Sequence, residues 1–283
     1  MLAPNFWFFV LVTAGVQAAP SRSNPWNQSV IFKGKEIKNL LAFGDSYTYV
    51  QGTQGHWNYS FISDAFNYTF APEQLLSSEI VKNTTSSGGP NWVEYLTGCY
   101  EGLPGNCPET KLWDFAFAGA DISAEYLPLH HNYTVDLDDQ VKQWDLYARE
   151  TLDLEPADTL VAFWIGINDI NDSAKFTNVS FPAWYETLVK KWLDSVMLPP
   201  PLDKTASNLA RHNDSSSFVF DTYSFLNDVL AEPARYNIQN TTSYCKSYAQ
   251  SDILWNYAAY GYSGHITFTV HEIIAKELLK QLA

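Results

Sequence analysis

Four short stretches place reactive residue types where the chain leaves an apolar run. In "FGDSYT", Ser46 follows a flexible Gly44 at the start of a loop or helix, so its hydroxyl is exposed and nearby backbone N–H groups can meet a developing oxyanion. An isolated Gly-Asp-Ser also reads simply as a helix cap made by Asp45 and Ser46. In "FAFAGADIS", Gly119 lets the backbone N–H approach a ligand closely, or else makes a turn. "WIGINDI" offers Asn168, whose side-chain amide is either an oxyanion donor or part of a strand-end turn. "YGYSGHITFTVHEIIAKELL" carries His265, a candidate general base, with His271 further along. Taken in order, a nucleophile, two donors and a base are the parts needed for acyl transfer from an ester through an acyl-serine.

The elements that position these residues follow from the apolar pattern. "NLLAFGDS", "LWDFAFAGA", "TLVAFWIGIND" and "SSFVFDTYSF" are short apolar runs ending in glycine or polar turns. They suit strands of a parallel sheet covered on both faces. Between them lie helix candidates, "NWVEYLT", "DLDDQVKQWDLYARET" and "PAWYETLVKKWLDSVM", and the tail "HEIIAKELLKQLA" aligns Ile274, Leu278 and Leu282 along one stripe. Strands alternating with helices predict a three-layer α/β fold with a central, mainly parallel sheet. Ligands of such sheets bind outside the carboxyl ends of the strands, where the four stretches fall.

The ordered set Ser46, Gly119, Asn168 and His265 resembles the SGNH, or GDSL-type, hydrolases, named for Ser, Gly, Asn and His in four sequence blocks. "FGDSYT", "TSSGGPNWVEYLT", "DFAFAGADIS", "DDQVKQW" and "FWIGINDI" are similar to those of fungal acetyl esterases of carbohydrate esterase family 16. The resemblance implies Ser46 as nucleophile, His265 as base, and an oxyanion hole of the Ser46 and Gly119 N–H groups with the Asn168 amide. It implies an acetylated carbohydrate or other small ester as substrate, plant cell-wall oligomers first among them, and requires neither a metal nor an organic cofactor.

The last block departs from the pattern. Where the resembling proteins carry Asp-X-X-His-Pro, this chain reads "YSGHI", with Tyr262 at the Asp position and Ile266 at that of the proline. His271 fits the second histidine of the related sequences, and Trp255-Asn256 sits further upstream than the usual Trp-Asp. The Asp normally fixes the imidazole tautomer and stabilises the imidazolium. Here Asp252, Asn256, the Tyr262 hydroxyl or a backbone carbonyl are candidates for that role. The alternatives to an active acetyl esterase are a catalytically weakened member serving as a glycan-binding or surface protein, and a lipase or other carboxylester hydrolase.

Composition bounds the rest. The chain has 283 residues, 46% hydrophobic, enough for one domain with a full core. A net charge of −14 argues against nucleic-acid binding, which needs a basic surface. "MLAPNFWFFVLVTAGVQAAPSRS" reads as an export leader over residues 1–18, its apolar run too short to span a bilayer, followed by a single domain over 19–283 without a stable membrane anchor. Acceptor sequons at Asn27, Asn58, Asn67, Asn83, Asn132, Asn171, Asn178, Asn213 and Asn240 agree with a secreted glycoprotein and belong mostly on surface loops. Cys99 and Cys107 bracket the turn-rich "YEGLPGN" and can close a short disulfide. Cys245 is then buried and inert, unless it pairs with one of the other two. His56, Trp57, Trp92 and Trp164 are candidate substrate contacts near the site mouth, the tryptophans equally readable as packing residues. His271 reads as a surface or packing residue, and His130-His131 as part of a solvated loop, since a metal would need further ligands. "LPPPLDKTASNLARHNDSSS" reads as a surface loop.

Overall fold

A computed structural model of the chain describes residues 8–13, 29–50, 79–197, 215–245, 254–257 and 264–283. Its strands are β1 (Phe8–Thr13), β2 (Val30–Phe32), β3 (Lys35–Ile37), β4 (Asn39–Gly44), β5 (Lys111–Asp114), β6 (Thr159–Trp164), β7 (Ser215–Phe220), β8 (Asn240–Cys245), β9 (Leu254–Tyr257) and β10 (His265–Ile266). The α-helices, in chain order, are α1 (Trp92–Thr97), α2 (Leu137–Gln143), α3 (Arg149–Leu152), α4 (Ile167–Ser173), α5 (Phe181–Met197), α6 (Thr222–Ala231) and α7 (Phe268–Leu282). β5, β4, β6, β1 and β7 lie side by side in that order, and β10, β9 and β8 form a second, smaller sheet.

The expectation of an α/β fold with a mainly parallel sheet holds. β4 pairs in parallel with both β5 and β6, with Asn39 opposite Lys111 on one side and Thr159 on the other. The alternation of side chains along these strands explains their unbroken apolarity. Leu40, Ala42, Leu112, Leu160 and Ala162 face one core with Trp92, Val93 and Leu96 of α1 and Val270, Ile274 and Leu278 of α7. Leu41, Phe43, Trp113, Val161 and Phe163 face another with Leu137 and Val141 of α2 and Leu188 and Trp192 of α5. Successive residues of a strand point to opposite faces, so a sheet with helices on both sides needs apolar residues at every position. On the second face Phe43 stacks between Phe115 and Phe163, ring centroids 5.5 and 5.0 Å apart.

The four predicted strands and four predicted helices all form, the α2 candidate continuing through a π-helical turn into α3. α4, α6 and the small sheet are additions that the apolar pattern does not announce. The apolar run read as an export leader contains β1, which stands between β6 and β7 and runs antiparallel to both. Those two strands are therefore parallel to each other. Residues 198–214, most of the predicted surface loop, lie outside the described residues.

Cys99 and Cys107 form a disulfide with Cα atoms 5.3 Å apart, and Cys245 is buried outside it. Of the described sequon asparagines, Asn132, Asn171, Asn178 and Asn240 are exposed and Asn83 is half-buried. Among the described residues no helix is long and apolar enough to cross a membrane.

Candidate active site

Ser46 lies two residues beyond the end of β4, in a turn that begins at a tightly packed point. A Cβ on Gly44 would stand 2.1 Å from the Trp164 carbonyl oxygen, so no other residue fits there. Asp45 closes the turn: its backbone N–H donates to Trp164 O at 3.2 Å, and its Oδ1 accepts from the Tyr47 N–H at 3.0 Å. Burial pushes the Asp45 carboxyl up to about 8. From the other side, Gln140 of α2 grips Gly44 at both ends, its Oε1 accepting from Gly44 N at 3.0 Å and its Nε2 donating to Gly44 O at 2.9 Å. Gln140 is fully buried, and its Oε1 gives the Gly44 N–H a partner at the strand end, while Gly44 O is shared between Gln140 and the Phe117 N–H.

The Ser46 hydroxyl meets His265 Nε2 at 2.6 Å. His265 opens β10, where it pairs with Tyr257 of β9 while Ile266 pairs with Asn256. The chain beyond is pinned by Thr267, whose N–H donates to Trp255 O at 2.9 Å and whose hydroxyl donates to Leu254 O, and by the Phe268 N–H, which reaches Ser87 O at 3.0 Å. That last bond explains the paired glycines of "TSSGGPNWVEYLT". A Cβ on Gly88 would meet the Tyr257 ring at 2.3 Å, and one on Gly89 the Phe268 ring at 2.7 Å. The same block reaches the serine turn, because Asn91 caps α1 while its Nδ2 donates to the Thr48 and Tyr49 carbonyls.

Tyr47 joins the serine turn to the histidine strand directly. Its hydroxyl donates to Gly264 O at 2.6 Å, and its ring stacks on His265 with centroids 5.4 Å apart. The ring also stacks on Trp164 and meets His271 edge-on. His271 is buried, and its ring sits so far from water that its pKa falls to about 3, mainly by burial with a smaller push from His265. It is a packing residue beneath the site.

Nothing among the described residues hydrogen-bonds to His265 Nδ1, which is buried. The Asn256 amide donates instead to Thr241 O at 3.0 Å, and Asp252 and Tyr262 lie outside the described residues. Burial therefore acts on the imidazole without a counter-charge among the described residues, and the His265 pKa is lowered from its ordinary value.

The two predicted oxyanion donors come from the neighbouring strands. Phe115 and Phe117 run on beside β4, their N–H groups donating to Ala42 O and Gly44 O, and deliver Gly119 in a left-handed conformation (φ +85°). Asn168, in the first turn of α4, donates its Nδ2 to Ala120 O at 2.9 Å. Next to it Asp169 is buried and receives the Ile122 N–H on both carboxylate oxygens, at 3.1 and 3.2 Å. α4 thus holds the Gly119 loop at two points, and one N–H of the Asn168 amide remains for a further acceptor.

No family model matches the chain. Over 165 residues, 56% of this chain, it is 28% identical to a protein named acetylesterase from Thermothelomyces thermophilus. The aligned stretch is 46% of that protein, so the chain spans about half the length of the relative it matches.

The structure thus brings Ser46 and His265 into contact and sets Gly119 on the loop after β5 and Asn168 in the first turn of α4 after β6, the two strands flanking β4. Of the two readings that the sequence leaves for Trp92 and Trp164, substrate contact or packing, their surroundings agree with packing. The two residues are 1% and 8% exposed, they pack against each other at 5.7 Å, and Trp92 Nε1 donates to Thr48 Oγ1, so neither offers a face to a sugar. His56 and Trp57 lie outside the described residues. The positioning roles of Tyr47 and Gln140 escape sequence reasoning. Gln140 had a signal, as a polar residue amid the apolar stripe of "DDQVKQW"; Tyr47 had none beyond its place beside Ser46.

Replacing Gln140 by Ala leaves the buried Gly44 N–H unpaired and is expected to lower unfolding stability by about 1–3 kcal/mol in urea titrations. A loss under about 0.5 kcal/mol contradicts the clamp.

Proposed function

We propose that this protein is a secreted serine esterase that removes acetyl groups from small esters, acetylated oligosaccharides of the plant cell wall being the substrate class suggested by the sequence resemblance. The observation that carries the reading is the 2.6 Å contact of Ser46 Oγ with His265 Nε2. The similarity to an acetylesterase supports carboxylic ester hydrolysis at a coarser level.

In the proposed reaction, Ser46 Oγ attacks the ester carbonyl as its proton passes to His265 Nε2. The oxyanion is met by the Ser46 and Gly119 N–H groups and by the Asn168 amide, each such donor worth about 10²–10³ in kcat. His265 then protonates the departing alcohol, and a water activated by the same imidazole hydrolyses the acyl-serine. For Nε2 to accept, the proton of neutral His265 must sit on Nδ1, and an unpaired buried N–H costs about 1–3 kcal/mol. Stacking on Tyr47 supplies the orientation that a carboxylate gives in a triad. An Nδ1 without a partner among the described residues also favours a second reading, a weakened member of such a family that binds glycans more than it turns them over.

Hydrolysis of a small acetyl ester and labelling by a serine-directed phosphonate separate the two. The esterase reading expects both, with Ser46→Ala abolishing both and His265→Ala abolishing turnover. Folded wild-type protein without either activity overturns it, and Ser46-dependent labelling with little turnover selects the weakened form.

Protonated His265 cannot take the serine proton, so activity is lost as pH falls through the His265 pKa. Because burial lowers that pKa, the acid limb of kcat/KM should have its midpoint below the ordinary histidine value of 6.5. A midpoint at about 7 or above would reveal a carboxylate paired with Nδ1.

Mass spectrometry of protein secreted by a eukaryotic host should find the mature chain beginning at Ala19, with glycans on its sequons. A secreted chain that retains Phe8–Thr13 would overturn the leader assignment and make β1 a permanent strand.

A further inference from the structure

Next to Gly119, where a Cβ would stand 3.3 Å from the His130 side chain, lies a group of side chains that the proposed reaction does not use. Asp121 is 1% exposed, and neither of its carboxylate oxygens has a hydrogen-bond partner. A buried carboxylate in that position needs a counter-charge, a proton or an ion. No lysine or arginine supplies one among the ion pairs of the described residues. Instead the neighbours are carboxylates: burial, then Asp169, Asp172, Asp136 and Asp45, push the Asp121 carboxyl up to about 8.

Two ligand-type groups converge on it from other segments. His130 Nδ1 lies 3.4 Å from Asp172 Oδ2, and one ligand atom from each of Asp121, His130 and Asp172 lies within 4.8 Å of the others. One side chain comes from the Gly119 loop, one from the His130-His131 loop and one from α4. The sequence presented His130 without partners, and the fold supplies them.

We propose that Asp121, His130 and Asp172 form a structural site for a divalent first-row transition ion, with Zn²⁺ as its representative. Two carboxylate oxygens and one imidazole nitrogen suit that class, with bonds of about 2.0–2.2 Å and waters completing the shell. Ca²⁺ would ask for six to eight oxygens. His130 is part-exposed at 34% and can turn the small distance needed to close the set. The ion takes no part in bond making. It ties the Gly119 loop to α4, the two segments that carry Gly119 and Asn168, and it neutralises a cluster that is otherwise acidic in a chain of net charge −14.

Untagged protein is dialysed against a chelator and titrated with Zn²⁺ by calorimetry, with thermal unfolding followed in parallel. One equivalent should bind, and the unfolding midpoint should rise by about 5 °C at a hundredfold excess over Kd. Asp121→Asn should abolish binding, and His130→Gln and Asp172→Asn should each weaken it at least about tenfold. Should Asp121→Asn fail to fold, the other two variants, at part-exposed positions, decide the matter. Absence of binding in the wild type, binding that survives the His130→Gln, Asp172→Asn double variant, or tighter binding of Ca²⁺ than of Zn²⁺ overturns the proposal.

Discussion

The hydrogen bond from the Tyr47 hydroxyl to the Gly264 carbonyl couples two parts of the chain that no sheet ladder joins. The serine turn hangs from the end of β4, whereas His265 belongs to the small second sheet. Without a cross-tie, two such segments could drift by the ångström or so that separates a productive Ser-His contact from an idle one. Tyr47 supplies the tie through its hydroxyl and its ring, which stacks on the imidazole on one side and on Trp164 on another. The loop around Gly88 and Gly89 completes the frame, since it touches Tyr257 and Phe268 around the histidine and, through Asn91, the turn around the serine.

Below this frame the site is held by buried carboxyls that accept backbone N–H groups where strands end. Asp45 receives Tyr47 N just after β4, Asp114 receives Ala116 N at the end of β5, and Asp169 receives Ile122 N from the start of α4. The first two satisfy an amide that has just left the ladder and the third an amide of the Gly119 loop, each at the cost of desolvating its own acid. Burial raises all three pKa values, Asp169 to about 7 and Asp114 well above its ordinary range. At the strand ends that present Ser46, Gly119 and Asn168 the backbone N–H groups are thus met from inside the protein, while Asp45 Oδ2 and Asp114 Oδ2 are buried without a hydrogen-bond partner.

How much of this is legible in the sequence depends on whether the signal is local. The strands around Leu40, Leu112 and Leu160 are readable because burial on both faces makes them continuously apolar. The stripe of Ile274, Leu278 and Leu282 is readable because a single helical face meets the core. α4 is not, because "INDINDS" is polar and owes its helix to the contacts that Asn168 and Asp169 make with the Gly119 loop. The candidate pair Ser46 and His265 was visible through its flanking blocks, but Trp92 and Trp164 stayed open between two roles, since an aromatic near a site has no local mark that separates a platform from a wedge. The environment of Asp121 depends on the loop that carries His130 and on Asp172 of α4, which is distant in sequence, and no local pattern could have announced it.

The central claim is that Tyr47, through its hydroxyl and ring, holds His265 against Ser46 where a carboxylate is customary. The rate at which a serine-directed phosphonate labels Ser46, compared between wild type and Tyr47→Phe, tests it most directly, because the variant keeps the ring and loses only the bond to Gly264. Labelling about 3- to 10-fold slower, with the unfolding midpoint little changed, is the predicted result. Equal rates in the two proteins would contradict it.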